Sequence, residues 1–239
     1  MSYPEMTLIL LVAALVAVLV GGVALSEVRL GSSIKQRRER IGFFALGLVV
    51  WLGIVAVAGA GGYLDDVNSM PPPVARVMVP SLIMVVYLAF SRFGSRLVRG
   101  LHFEEMIGLQ AFRLPVEMIL LGFYFEGKIP ISMTVEGRNF DVITAVTAVL
   151  IAFFLYTGSL SRKFIWAWNI LGLTLLFNVV ITAVLTVPGK MRLLIEEPPN
   201  ILPLHWPTNW ILFCVFVALF SHLLIFRKLI AEESSQFEI

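Results

Sequence analysis

Long apolar runs separated by short polar connections dominate the chain. A helix rises about 1.5 Å per residue and a hydrocarbon core is about 30 Å thick, so seven runs are long enough to span it. They occupy residues 7–25, 41–62, 73–90, 104–125, 142–157, 164–187 and 210–226. Lipid cannot satisfy unpaired backbone groups, and the runs lack the repeated alternation of barrel strands. The pattern predicts an all-α membrane protein whose residues 1–239 form a single seven-helix transmembrane domain.

The composition agrees with a membrane protein. The chain is 59% hydrophobic and 14% charged, whereas soluble domains are about 25% charged. The lipid bilayer is therefore an expected partner. The net charge of +2 is small and its basic residues form no stripe, so nothing indicates nucleic-acid binding. Cys214 is the one cysteine, which excludes an internal disulfide and predicts a buried packing residue.

The basic residues are divided unequally between the two sides of the predicted bundle. Twelve Lys and Arg residues fall on the side of segments 29–40, 92–99, 162–163 and 227–228, and five fall on the other side. Short loops rich in Lys and Arg stay in the cytoplasm. The asymmetry therefore predicts an N-terminus outside and a C-terminus in the cytoplasm.

The fourth run carries Gln110, Arg113 and Glu117 among apolar residues. Arg113 and Glu117 fall within roughly 4 Å of its middle, where a charge costs about 2.5–3.5 kcal/mol unless it faces the bundle or is paired. Their spacing of four places them on one helix face. Pro115 between them predicts a kink and a freed carbonyl at Ala111. This polar centre is either a site for a solute or a proton, or a structural ion pair, and the sequence leaves both open.

Two further elements carry candidate binding residues for this polar centre. Thr174, Asn178 and Thr182 recur every four residues in the sixth run, and Trp51 lies near the middle of the second. If these faces meet the fourth helix, Trp51, Thr174 and Asn178 join the site. Hydrogen bonding between helices is the simpler explanation of the Thr–Asn–Thr stripe.

The connections on the outer side are long enough to be structured. Residues 129–135 alternate apolar and polar side chains, which predicts a short strand. Glu136, Arg138, Asp141 and His205 are candidates for the rim of an outer vestibule. Helix capping is the simpler role for Asp141, because acidic groups are favourable at a helix N-terminus.

The sequence indicates no metal or cofactor. His102, His205 and His222 fall at different depths, so they do not converge on a metal. No nucleophile and base pair stands out, which makes a membrane-embedded enzyme the least favoured function.

Residues 110–146 contain a distinctive set: Gln110-Ala111-Phe112-Arg113, Val116-Glu117, Met133-Thr134 and Glu136 to Asp141. This set resembles a pattern in uncharacterised bacterial multi-pass membrane proteins with seven helices. The resemblance implies a location in the plasma (bacterial inner) membrane, and no activity comes with it.

Two functions remain open. The first is a small-solute or proton-coupled carrier or channel, with Arg113 and Glu117 at its centre. The alternative is a non-catalytic receptor, sensor or assembly factor that binds a ligand or another membrane protein through the outer loops.

Overall fold

The structure, a computed structural model, describes residues 1–158, 160–195 and 197–234. Over these residues the chain is helical and contains no strand. Nine α-helices occur in the described ranges: α1 (Tyr3–Arg29), α2 (Ile34–Ala60), α3 (Pro73–Phe90), α4 (Arg92–Gly100), α5 (Phe103–Leu109), α6 (Arg113–Phe125), α7 (Asp141–Thr157), α8 (Arg162–Thr186) and α9 (Ile211–Ser234).

Six helical segments are long and apolar enough to cross a membrane. They are α1, α2, α3, the combined stretch Phe103–Phe125, α8 and the stretch Thr208–Glu233. The fifth predicted run corresponds to α7, which is apolar but has only 17 residues. The all-α prediction is therefore confirmed, and six of the predicted spans have the required length.

Several helices extend beyond the predicted apolar runs. Helix α2 begins at Ile34, seven residues before the predicted start at 41, because the Ser33 side chain accepts a hydrogen bond from the Gln36 amide and caps it. Helix α1 begins at Tyr3, where Ser2 and Glu5 form a capping box. Hydrophobicity marks only the part of a helix that lies among apolar groups, whereas caps set its true ends.

The fourth predicted run is interrupted. Helix α5 ends at Leu109, a 3-10 turn spans Gln110–Phe112, and α6 starts at Arg113. Pro115 lies in the first turn of α6, lacks an amide hydrogen and crowds the carbonyl of Ala111. The interruption that this proline predicts is present, one turn before the proline itself.

Two predictions for the connections were wrong. The segment 129–135 forms no strand; its centre is a 3-10 turn over Ile131–Met133, because the chain folds back on itself instead of finding a strand partner. The connection at 92–99 was expected to be a loop, but it forms α4, whose Leu97 and Val98 are buried under the bundle.

The helices pack into two large apolar clusters, one in each half of the bundle, and a third, smaller cluster contains residues of α3 and of the loop-forming segments. Leu8, Phe123 and Val217 belong to the first cluster, and Ile107 and Ile225 to the second. Helix α9 contributes to both large clusters and packs against α3, α4, α5 and α8. It is therefore the central helix. The outward face of α2 exposes large apolar side chains, as a helix facing lipid does: Phe43, Val49, Ile54 and Val57.

Different parts of the chain meet at the two ends of the bundle. The α1–α2 turn, α4 and the last turns of α9 meet at one end, which we call the basic end. The start of α1 and the segments 61–72, 126–140 and 187–207 meet at the other, which we call the loop end.

A buried carboxylate organises the basic end. Glu27 is 2% exposed and accepts hydrogen bonds from Arg96 Nε at 2.6 Å and Nη2 at 2.7 Å, from Arg40 at 2.5 Å and from Ser32 Oγ at 2.6 Å. Two guanidinium groups on α2 and α4 thus share one carboxylate on α1. This network joins three elements at the basic end.

The end of α9 secures the ends of two other helices. Arg227 donates to the carbonyl of Ala89 near the end of α3, and Lys228 donates to the carbonyls of Val98 and Leu101 at the end of α4. Cations are favourable at helix C-termini. These contacts fix α4 against the bundle.

At the loop end, Lys128 links the first helix to the 126–140 segment. Its ammonium lies 2.7 Å from Glu5 and 2.9 Å from Glu126. Burial lowers the pKa of Lys128, but its hydrogen bonds to both carboxylates outweigh this, and the pKa is raised above its usual value. The cation is therefore present at every physiological pH.

We expect Glu27→Gln to destabilise the bundle. The change removes the counter-charge of two arginines, and a hydrogen bond to a charged group is worth about 1.5–3 kcal/mol. Thermal unfolding in detergent should show a lower midpoint. The matched control is Glu39→Gln, whose 4.0 Å pair with Lys35 is exposed and should contribute nothing measurable. Equal effects of the two changes would contradict a structural role for Glu27.

Candidate functional site

A buried ion pair forms the centre of the site. Arg113 is 2% exposed, and its Nη1 donates to Asp141 Oδ1 at 2.9 Å. The same nitrogen lies 3.4 Å from the carbonyl oxygen of Gly172, near the middle of α8. The partner of Arg113 is thus Asp141 on α7, and the ion pair between Arg113 and Glu117 that the sequence left open is absent among the described residues.

Glu117 lies beside this pair but has a different partner. Its side chain is buried, and Oε1 accepts a hydrogen bond from Asn139 Nδ2 at 2.6 Å. Asn139 also donates to the Met133 carbonyl at 3.2 Å and accepts from the Asp141 amide at 3.1 Å. Asn139 therefore connects Glu117 to Asp141 through one side chain. We call Arg113, Glu117, Asn139 and Asp141 the polar cluster.

The polar cluster exists because residues 128–140, the fold-back segment, turn back into the bundle. Thr134 and Asn139 are fully or almost fully buried, and the Arg138 carbonyl accepts from Asn178 at 2.6 Å. Asn178 lies two helical turns before Thr186 at the end of α8, which is about 12 Å along the helix. Helix α7 therefore begins inside the bundle. Asp141, for which the sequence offered an outer rim or a helix cap, is the first residue of α7 and is buried.

Close backbone packing makes the fold-back segment compact. The amides of Arg138 and Asn139 bond to the carbonyls of Ser132 and Thr134. A Cβ on Gly137 would lie 2.2 Å from the Ile131 carbonyl oxygen, so this position has room only for glycine. These bonds satisfy backbone groups that would be costly at membrane depth.

A cavity of about 260 Å³ adjoins the polar cluster. It lies between α3 and α8, and residues of α6 and α9 also line it. Residues 187–191 and 200–203 line its part at the loop end. All four residues of the polar cluster line it, whereas most of its wall is apolar. An engineered apolar cavity of about 150 Å³ binds benzene, so the space is sufficient for a small molecule.

Some polar atoms of the cluster have no hydrogen-bond partner among the described residues. These are Oε2 of Glu117 and the Nε and Nη2 atoms of Arg113. Buried polar groups are normally paired, because an unpaired one costs about 1–3 kcal/mol. The cluster therefore offers both an acceptor and donors to a bound group.

A second set of buried polar side chains lies on the other side of Gly172. His222 and Asn169 bond reciprocally: the His222 Nδ1 lies 2.7 Å from Asn169 Oδ1, and Asn169 Nδ2 donates to the His222 carbonyl at 3.1 Å. Gln110 is fully buried and donates to the Ala218 carbonyl. These contacts hold α8 and the interrupted fourth segment against α9, and Gln110 does not line the cavity.

The predicted stripe on α8 does not face the site as a unit. Thr174 is exposed and bonds to its own helix, Asn178 is half-buried and holds the fold-back segment, and Thr182 is buried. A spacing of four residues advances about 40° around a helix. The three side chains therefore point in successively different directions.

The remaining predicted residues lie away from the cavity. Trp51 donates to Ser81 Oγ at 2.8 Å and links α2 to α3. Glu136 and Arg138 are exposed on the fold-back segment. His205 is about half exposed and lies 3.5 Å from Asp65 at the loop end. Among the described residues, no group of three or more His, Cys, Asp or Glu side chains could hold a metal ion.

A family model described as a domain of unknown function, DUF8737, matches residues 72–230. The chain belongs to this family. No curated protein and no solved structure matches the chain. The DUF8737 segment contains α3 to α8, most of α9, the polar cluster and all cavity-lining residues except Val67, whereas α1 and α2 precede it. The candidate site is thus a feature of the DUF8737 domain.

We expect Arg113 and Asp141 to be energetically coupled. Arg113→Gln alone leaves a buried carboxylate without its counter-charge, and breaking a buried pair costs about 3–5 kcal/mol. The double variant Arg113→Gln/Asp141→Asn should lose less stability than the sum of the two single variants. Unfolding in mixed micelles with sodium dodecyl sulfate measures all four proteins. Additive losses would show that the two side chains do not interact.

We expect Gly172→Ala to disturb the packing beside Arg113. A Cβ there would lie 2.6 Å from His222 Cε1 and 3.0 Å from Thr144 Cγ2, and overpacking costs about 1–3 kcal/mol. Gly53→Ala on α2 is the control, because its Cβ would meet nothing within 4 Å. The same unfolding measurement should show a loss for Gly172→Ala and none for Gly53→Ala. A harmless Gly172→Ala would mean that α8 does not approach His222 this closely.

Proposed function

We propose that this DUF8737 protein is a seven-span protein of the bacterial plasma membrane with its N-terminus outside. Six helices of spanning length and the twelve-to-five asymmetry of basic residues support this topology. Helix α7 is the one predicted span that is too short to cross the membrane by itself. The fold-back segment precedes it inside the bundle, so the two together cross the membrane. The basic end then faces the cytoplasm. Residues 235–239, at the predicted cytoplasmic terminus, lie outside the described residues.

Within that membrane the protein acts as a carrier or channel for a small solute or a proton. The observation that supports this function is that a buried, charged cluster lines a cavity between helices. Ionisable side chains at membrane depth are expensive and mark solute or proton pathways. Two segments are interrupted or begin at the cluster, α6 at Arg113 and α7 at Asp141, and carriers commonly bind their substrates where helices are discontinuous.

The residues of the cluster have separate roles in this function. Arg113 and Asp141 hold α6, α7 and α8 together as a neutral pair. Glu117 faces the cavity with one unpaired oxygen and carries the proton or contacts the solute. Asn139 bonds to the other oxygen and keeps the carboxyl group oriented. Movement of α3 relative to α8 opens or closes the cavity between them.

The receptor alternative depends on other residues. It requires Glu136 or His205 at the loop end to capture a ligand or partner. Both side chains are exposed and lie away from the cavity, so the cavity favours the carrier.

We expect Glu117→Gln to lose proton flux while keeping its fold. Glutamine preserves the shape and can still accept the Asn139 hydrogen bond, but it cannot release a proton. Proteoliposomes loaded with the pH-sensitive dye pyranine should acidify quickly after an acid pulse with the native protein and only at the background rate with the variant.

The matched control is Glu136→Gln, which removes an exposed carboxylate of the fold-back segment away from the cavity. It should leave the flux unchanged. Native flux no faster than that of protein-free vesicles, or equal flux in native protein and Glu117→Gln, would contradict the proposed function.

A further inference from the structure

The cavity next to the polar cluster has an opening on the side of the bundle. Helices α3 and α8 both pack against α9, and the cavity occupies the space between them. Val79 on α3 lines the cavity and is nevertheless 52% exposed. Val180 and Val184 line it from α8 and are half-buried. Exposed side chains that line a cavity mark its openings. Lys190 and Met191 mark one at the loop end, and Val79 marks a lateral mouth on the side of the bundle.

This mouth lies among residues that face the hydrocarbon. Neighbouring outward residues on the two helices are apolar and exposed, including Ile83 on α3 and Phe177 and Ile181 on α8. A molecule that enters here must come from the lipid phase. Charged groups are costly in that phase, whereas uncharged, lipid-soluble molecules are concentrated there.

Two side chains that line the cavity carry unpaired donors and an unpaired acceptor. Arg113 offers Nη2 and Nε, Glu117 offers Oε2, and none of these atoms has a hydrogen-bond partner among the described residues. Both side chains are more than nine-tenths buried. A hydroxyl group complements this arrangement, because one oxygen can accept from a guanidinium and donate to a carboxylate.

We propose that the cavity binds an uncharged, lipid-soluble alcohol or phenol that enters from the bilayer between α3 and α8. Its hydroxyl group lies between Arg113 and Glu117, and its apolar part lies against the valines of α3 and α8. The inference rests on the proposed function, for which it names the class of solute.

Charge arguments favour a neutral head group over a charged one. An anion would approach Asp141 and Glu117, and a cation would approach Arg113, so either meets a like charge within the cluster. Both would also lose their hydration on the way from the lipid surface. A hydroxyl group avoids both costs and satisfies the unpaired atoms.

The inference can be tested with 3-azioctanol, a photoactivatable analogue of octanol, on the full-length protein in lipid nanodiscs. After irradiation, peptide mass spectrometry locates the labelled residues. We expect labels on the cavity faces of α3 and α9, within residues 74–79 and 211–218. Octanol should compete with this labelling at least about tenfold better than octane, because a hydrogen bond to a charged group contributes that much to affinity. Octylammonium and octanoate should compete poorly.

Two variants on adjacent positions of α8 provide a matched comparison. Val180→Trp fills the cavity and should reduce labelling of α3 and α9 at least about tenfold. Ile181→Trp places the same side chain on the lipid-facing side and should leave the labelling unchanged.

The inference is overturned if octane competes as well as octanol, if a charged analogue competes better, or if the cavity residues remain unlabelled in the native protein. Each result is separable from the proton-flux experiment. If the protein is labelled but shows no flux, the alcohol site is supported and the carrier function is wrong. If it shows flux but is not labelled, the carrier function is supported and the alcohol site is wrong.

Discussion

The burial of Arg113 is the constraint on which the rest of the structure depends. A guanidinium is always charged in a protein, and this one is 2% exposed inside a bundle surrounded by apolar surface. It requires a counter-charge at the same depth. Asp141 provides that charge at 2.9 Å, which in turn requires α7 to begin inside the bundle and residues 128–140 to fold back toward it.

The polar cluster and the cavity follow from this arrangement. The fold-back segment brings Asn139 to Glu117 and gives α7 only 17 residues. The 3-10 turn before α6 reorients the chain where Arg113 begins the helix. Irregular backbone in a membrane protein is tolerated where it is buried in protein or lines a cavity, and both conditions hold for Met133 and Asn139. The same features that provide a counter-charge for a buried arginine thus leave unpaired polar atoms beside a cavity.

The sequence predicted the all-α fold and the apolar segments but not α4, and it named Arg113 and Glu117 as candidates for a site. Apolar runs predicted the spans because lipid selects for length and hydrophobicity, and two charges in the fourth run predicted Arg113 and Glu117 as a polar centre. Counting spans assigns every residue outside an apolar run to the water, so it could not predict that Asp141 is buried against Arg113. The sequence contained one signal that the start of α7 is buried: its apolar run is too short to span a membrane, and a polar residue, Asn139, precedes it. The sequence named Asn178 as a candidate for the site. The direction of its side chain depends on the rotation of α8 about its own axis, which tertiary packing sets.

The most direct test of this account measures the Arg113–Asp141 contact in a bilayer. The pair is the only Arg–Asp ion pair among the described residues, since every other arginine ion pair there involves a glutamate. Solid-state NMR of protein with ¹⁵N-arginine and ¹³C-aspartate should therefore show one short distance between a guanidinium nitrogen and a carboxyl carbon, and Asp141→Asn should remove it. The absence of any such contact in the native protein would contradict the account.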